Sequence, residues 1–103
     1  MSVANAARGE AAFELGGRAL VVRPSFAALV AAESELGPLL ALADRAAEGR
    51  LLLAEMAALI WYCLAEREGL AREQVGEALV AQGVGPALPV LRTILRQVLT
   101  GSA

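Results

Sequence analysis

The sequence predicts an α+β fold, mostly α, with an N-terminal β-hairpin packed on a bundle of four to five helices. Three observations carry this. Gly16-Gly17 stands between two short apolar segments and supplies the positive φ values of a two-residue primed turn. From Ser25 onward the apolar period becomes helical, punctuated by Gly37-Pro38, Gly49, Gly69 and Gly83. The chain of 103 residues is long enough to close one core and too short for two. It divides into a flexible arm over residues 1–8, small and aperiodic, and a single domain over 9–103, with the hairpin in 9–24 and the helical bundle in 25–100.

Around the Gly16-Gly17 turn, Leu15 faces Arg18, Phe13 faces Leu20 and Ala11 faces Val22, so Ala11, Phe13, Leu20 and Val22 share one apolar face. Glu10 then lies opposite Arg23. A lone hairpin is marginal in water, so this face is expected to dock on helix one or helix three. Pro24 ends the second strand, and Ser25 caps a first helix from Phe26 to about Leu36, with Phe26, Leu29, Val30 and Leu36 inward. Glu33 falls on that stripe; with no second acid or base near it, it reads as an edge residue paired with Arg23, Arg45 or Arg50 rather than a poised carboxylate. Pro38 opens a second helix from Leu39 to Glu48, closed by Gly49.

The strongest helical segment runs from about Leu52 to Glu68. Leu52, Met56, Leu59 and Cys63 form its stripe, with Ile60 and Leu64 beside it, which makes it the expected central helix. Trp61 and Tyr62 fall off the stripe, either packed under a neighbouring element or serving as partner anchors. Cys63 lies mid-stripe and reads as a core thiol. After Gly69 a shorter helix over 71–82 turns Val75, Ala78 and Leu79 inward, and Gly83 stops it. Pro86 and Pro89 share a PxxP spacing, but the apolar helical run after them makes them helix-start prolines. The fifth helix runs to about Thr100. Its residues Leu88, Leu91, Ile94, Leu95, Val98 and Leu99 spread over half the circumference at ~100° per residue, with Arg92 and Arg96 flanking the arc. That arc is either core between two neighbours, a partner surface or an oligomer seam. Leu91, Arg92, Ile94, Leu95, Arg96 and Val98 are its candidate contacts.

Composition removes most catalytic chemistry. The chain has no His, its nine basic residues are all Arg, and one Cys and one Asp (Asp44) stand beside ten Glu. Neither a triad base, an imidazole ligand, a phosphate-loop Lys nor a Cys-based zinc site can be assembled within one chain, so no enzyme, cofactor or metal is expected. A hydrophobic fraction of 57% raises the question of a membrane span. The uncharged run Met56 to Ala65 is too short, and Ala78 to Leu91 is broken by glycines and prolines, against the roughly 18 to 20 apolar residues a span needs. The N-terminus has no secretory pattern, and a cytoplasmic protein is expected. A net charge of −2, with the arginines scattered along the chain, gives no electrostatic footprint for nucleic acid.

Several short motifs stand in a set order: R-G-E (Arg8 to Glu10), F-E-L-G-G-R-A-L-V-V-R-P (Phe13 to Pro24), S-F-A-A-L (Ser25 to Leu29), E-S-E-L-G (Glu33 to Gly37), L-A-D-R-A-A-E-G-R (Leu42 to Arg50) and E-Q-V-G-E-A-L (Glu73 to Leu79). In their order and spacing they resemble the gene transfer agent family of phage tail assembly chaperones, associated with tail tube and tail assembly. The resemblance covers residues 8 to about 83, and beyond that the chain matches only as an Ala/Leu-rich helix. It implies a non-enzymatic protein of a prophage or gene-transfer-agent cluster, made in the bacterial cytoplasm. Its implied partners are the tape measure protein, whose apolar helices it keeps soluble, and tail tube subunits. A structural tail component is the competing implication. Outside the family, a small helical transcriptional adaptor using helices four and five is disfavoured by the scarcity of positive charge on helix four.

Overall fold

The computed structural model describes residues 3–101. Its elements are β1 (Ala11–Leu15), β2 (Arg18–Val22), α1 (Phe26–Leu36), α2 (Leu39–Ala47), α3 (Leu53–Cys63), α4 (Arg72–Gln82) and α5 (Leu88–Thr100), with short 3-10 turns at Ala6–Arg8 and Gly85–Ala87. The hairpin and five helices are those the sequence predicts. β1 and β2 pair antiparallel in the anticipated register, Ala11 with Val22, Phe13 with Leu20 and Leu15 with Arg18. Gly16 and Gly17 take φ values of 59° and 82°, the left-handed region that side chains with a Cβ resist.

Part of the expected arm is folded. Asn5 accepts from the Ala7 N–H at 3.0 Å, and its own N–H donates to Glu10 at 3.0 Å. Met1 and Ser2 of that arm lie outside the described residues.

The hairpin packs mainly on α5 and α4, through β1, rather than on α1 or α3 as expected. Gln82 at the end of α4 donates to the Glu14 carbonyl at 2.7 Å. The link to α3 is made by backbone at the β2 edge. α3 ends at Cys63, not Glu68, because Leu64 leaves in an extended conformation and bridges Val22. The Arg23 N–H donates to the Cys63 carbonyl at 2.6 Å and the Ala65 N–H to the Val21 carbonyl at 2.9 Å. Tertiary pairing overrides helix propensity there, satisfying backbone groups that a two-stranded sheet leaves open at its edge.

α3 is the central helix, packed on α1, α4 and α5. Leu59, Ile60 and Cys63 are fully buried in a core shared with Val22, Leu42, Val75, Leu79 and Ile94. Leu52, expected in that stripe, caps the helix from outside and is exposed, while Met56 is half-buried. The Leu52 N–H donates to Glu55 at 2.9 Å.

α1 is rotated from its expected orientation. Phe26 and Val30 are exposed, and the buried side is Ala28, Leu29, Ala32 and Leu36. The helix is apolar almost all round, so periodicity alone does not orient it, and the alanine side packs on α3. α2 follows at a bend of 79°. Glu33 pairs with no arginine among the described residues; it accepts from the Leu39 N–H at 3.1 Å, satisfying a free donor at the start of α2. Among the described residues no single helix is long and apolar enough to cross a membrane.

Candidate interaction surface

α2 and α5 pack side by side and leave an open apolar groove of about 680 Å³ between them. One wall is the small-residue side of α2, Ala43, Ala46 and Ala47, continued by Gly49. The other is the ridge Leu88, Leu91, Leu95 and Leu99 on α5, spaced at intervals of three or four residues as one helical face requires. Leu51, Met56 and Val84 also line it. Pro86 and Pro89 precede or occupy the first turn of α5, where a missing N–H costs nothing, so the helix starts without loss of a ladder bond.

The ridge is half core and half surface. Leu91 and Leu95 are buried, whereas Leu88 and Leu99 are 41% and 59% exposed. Arg92 and Arg96 also line the groove and are exposed, and their guanidinium groups form no ion pair among the described residues. Of the six contacts the sequence nominates, the structure gathers Leu91, Arg92, Leu95 and Arg96 at the groove. Ile94 is fully buried and points into the core, and half-buried Val98 packs against the core outside the groove lining. These two have the wrong phase: they lie on the side of α5 turned toward the rest of the bundle. The α2 wall was missed. The signal for it is the i, i+3, i+4 spacing of Ala43, Ala46 and Ala47, which is faint because alanines carry little apolar area.

A second cluster absorbs Trp61 and Tyr62 into the fold. The Tyr62 hydroxyl donates to Glu35 at 2.8 Å, and Arg72 donates to the other oxygen of the same carboxylate at 2.5 Å. The Arg72 hydrogen bond, helped by Tyr62, holds the Glu35 carboxyl below the usual range. Arg67 stacks over the Trp61 ring at 4.4 Å, and the two aromatic rings meet edge to face at 5.2 Å. The cluster therefore ties α1, α3 and α4 together, and both rings are half-buried. Burial pushes the Cys63 thiol up to about 12, which keeps it protonated and unreactive at neutral pH. No group of three or more His, Cys, Asp or Glu side chains able to hold a metal ion occurs among the described residues. The arrangement at the groove offers apolar contact and positive charge, and no reacting group.

A family model described as phage tail tube protein, GTA-gp10, matches residues 8–101. The chain belongs to this family. The match runs from the first residue of the R-G-E motif through α5, so it takes in the helix that motif resemblance covered least. No curated protein and no solved structure matches the chain. Membership makes this a tail-related protein of phages and gene transfer agents.

Proposed function

We propose that the protein is a tail assembly chaperone that holds an apolar helical segment of a tail client, the tape measure protein first and tail tube subunits second, in the α2–α5 groove. The observation that carries this is the groove itself: exposed Leu88 and Leu99 beside a flat alanine wall, with unpaired arginines at the rim. Helix-in-groove recognition needs this combination of an apolar trough and charge placed to orient the guest. The family membership supplies the tail context, and the reading assigns the protein no reaction. It places the protein in the cytoplasm of the host cell while the tail is being built.

Co-expression with the tape measure protein, followed by pull-down, tests the reading. The Leu88→Asp/Leu99→Asp double variant should stay folded and lose the client, since both side chains face solvent. Ile94→Asp is unsuitable, because a carboxylate at that fully buried position unfolds the domain. Undiminished capture by the folded Leu88/Leu99 variant rules the groove out. The family description favours a second reading, a structural component of the tube. Mass spectrometry of purified particles separates the two, since a chaperone leaves before completion and a tube component stays at stoichiometric amount.

A further inference from the structure

The outward side of α4 is chemically complementary to the groove. Glu73, Gly76, Glu77, Val80 and Ala81 line a shallow apolar strip on that side. Val80 is 72% exposed, and Glu73 and Glu77 form no ion pair among the described residues. The two glutamates are four residues apart, as are Arg92 and Arg96 at the groove, so each pair spans about 6 Å of helix axis. The two surfaces share no residue: α4 packs on α3 and β1, whereas the groove lies between α2 and α5.

We infer that the α2–α5 groove of one copy receives the α4 face of a second copy. Val80 enters the trough, and Glu73 and Glu77 meet Arg92 and Arg96. The contact joins two different patches and is therefore heterologous, so each copy presents one groove and one α4 face and the copies associate head to tail, in a ring or an open row. A net charge of −2 leaves little overall repulsion to oppose this. The inference rests on the groove being a docking site. It adds a control on that site: association with a neighbour covers the exposed leucines until a client helix displaces the neighbour's α4.

Sedimentation and light scattering of the isolated full chain test this. At low ionic strength the wild-type mass should rise with concentration and return to the monomer value in high salt, because the pairing charges are at the surface. Arg92→Glu/Arg96→Glu and Glu73→Arg/Glu77→Arg should each be monomeric, with association weakened on the order of a hundredfold by like-charge contact. Mixing the two variants restores opposite charges at both alternating contacts, one with the charges exchanged and one as in the wild type, and should restore assembly. A wild type that stays monomeric at every concentration in low salt overturns the inference, as does assembly that survives both reversals or a mixture that stays monomeric. All four positions are exposed, and circular dichroism checks that the variants fold; the salt titration uses wild type and decides the matter even if a variant does not. Client capture by Glu73→Arg/Glu77→Arg, whose groove is intact, keeps the two claims separable. Retained capture without wild-type self-association sinks only the head-to-tail inference, and self-association without capture sinks the chaperone reading.

Discussion

At the hairpin end Arg23 is held 2.6 Å from Glu10, a carboxylate almost wholly out of water, whereas at the groove end Arg92 and Arg96 meet no acid among the described residues. The hairpin end buries Phe13, Leu20, Val21 and Val22 and is further pinned by polar contacts: Glu10 to Arg23 and Asn5, Gln82 to Glu14, and backbone bonds from 63–65 to the β2 edge. At the groove end Leu42, Ile94 and the inner sides of Leu91 and Leu95 join α2 and α5 to the core, with one ion pair, Arg45 of α2 to Glu55 of α3, behind the α2 wall. Charge that the fold consumes is structural. Charge that the fold leaves unpaired beside exposed leucines is available to a partner.

The largest expected effect comes from a position that serves both ends equally. Leu59 is fully buried on the central helix, and Leu59→Ala should cost about 2 to 5 kcal/mol, read as a lowered urea midpoint with an unchanged slope. A smaller loss would mean that the core collapses around the missing side chain. Next in size is the turn. A Cβ at Gly16 or Gly17 meets nothing within 4 Å, so the penalty of Gly16→Val/Gly17→Val is conformational only, roughly 1 to 2 kcal/mol at each position. Hydrogen exchange should then quicken in β1 and β2 while α2 and α5 keep their protection. Equal loosening at both ends would show that the hairpin is not a separable unit.

Acid should also distinguish the paired charges from the unpaired ones. The Arg23 hydrogen bond, opposed by desolvation and helped by the Asn5 N–H, holds the Glu10 carboxyl below its ordinary value, and Arg45 does the same for Glu55. Above the ordinary carboxylate range both folded and unfolded chains are ionised and the full stabilisation is present. As pH falls, the unfolded chain takes up protons first, so stability declines until the folded carboxyls titrate as well. Thermal melts from about pH 5 to about pH 2 should show this decline. Glu10→Gln should lower the melting temperature at neutral pH and flatten part of the decline, whereas Arg92→Gln should leave its shape unchanged.

The sequence exposed those features that depend on local chemistry. Gly16-Gly17 could serve one kind of turn, and it set the register that placed Glu10 opposite Arg23. Proline and glycine punctuation bounded α1, α2, α4 and α5 to within a residue or two. What stayed hidden depends on partners distant in sequence. Leu64 gives up the helix for an edge pairing with Val22, and nothing near residue 64 announces a strand more than forty residues earlier. Phe26 and Val30 outrank Ala28 and Ala32 in size, yet the alanine side of α1 is the one that packs. The groove was half legible for the same reason, since its α5 ridge is built from leucines and its α2 wall from alanines.

The smallest expected change in stability is also the sharpest test of the comparison. Arg92→Gln/Arg96→Gln removes two charges that pair with no acid among the described residues, so unfolding free energy should move by no more than about 0.5 kcal/mol. Arg23→Gln, by contrast, should destabilise the domain measurably, because it strips a nearly buried carboxylate of its ion-pair partner. If the groove arginines are reserved for a guest helix, the Arg92/Arg96 variant should fold normally and hold its client weakly, with a dissociation rate that no longer responds to salt. The remaining leucines would still offer apolar contact, so binding should weaken rather than vanish. A variant as unstable as Arg23→Gln would instead mean that the groove arginines support the fold, and the contrast between the two ends would disappear.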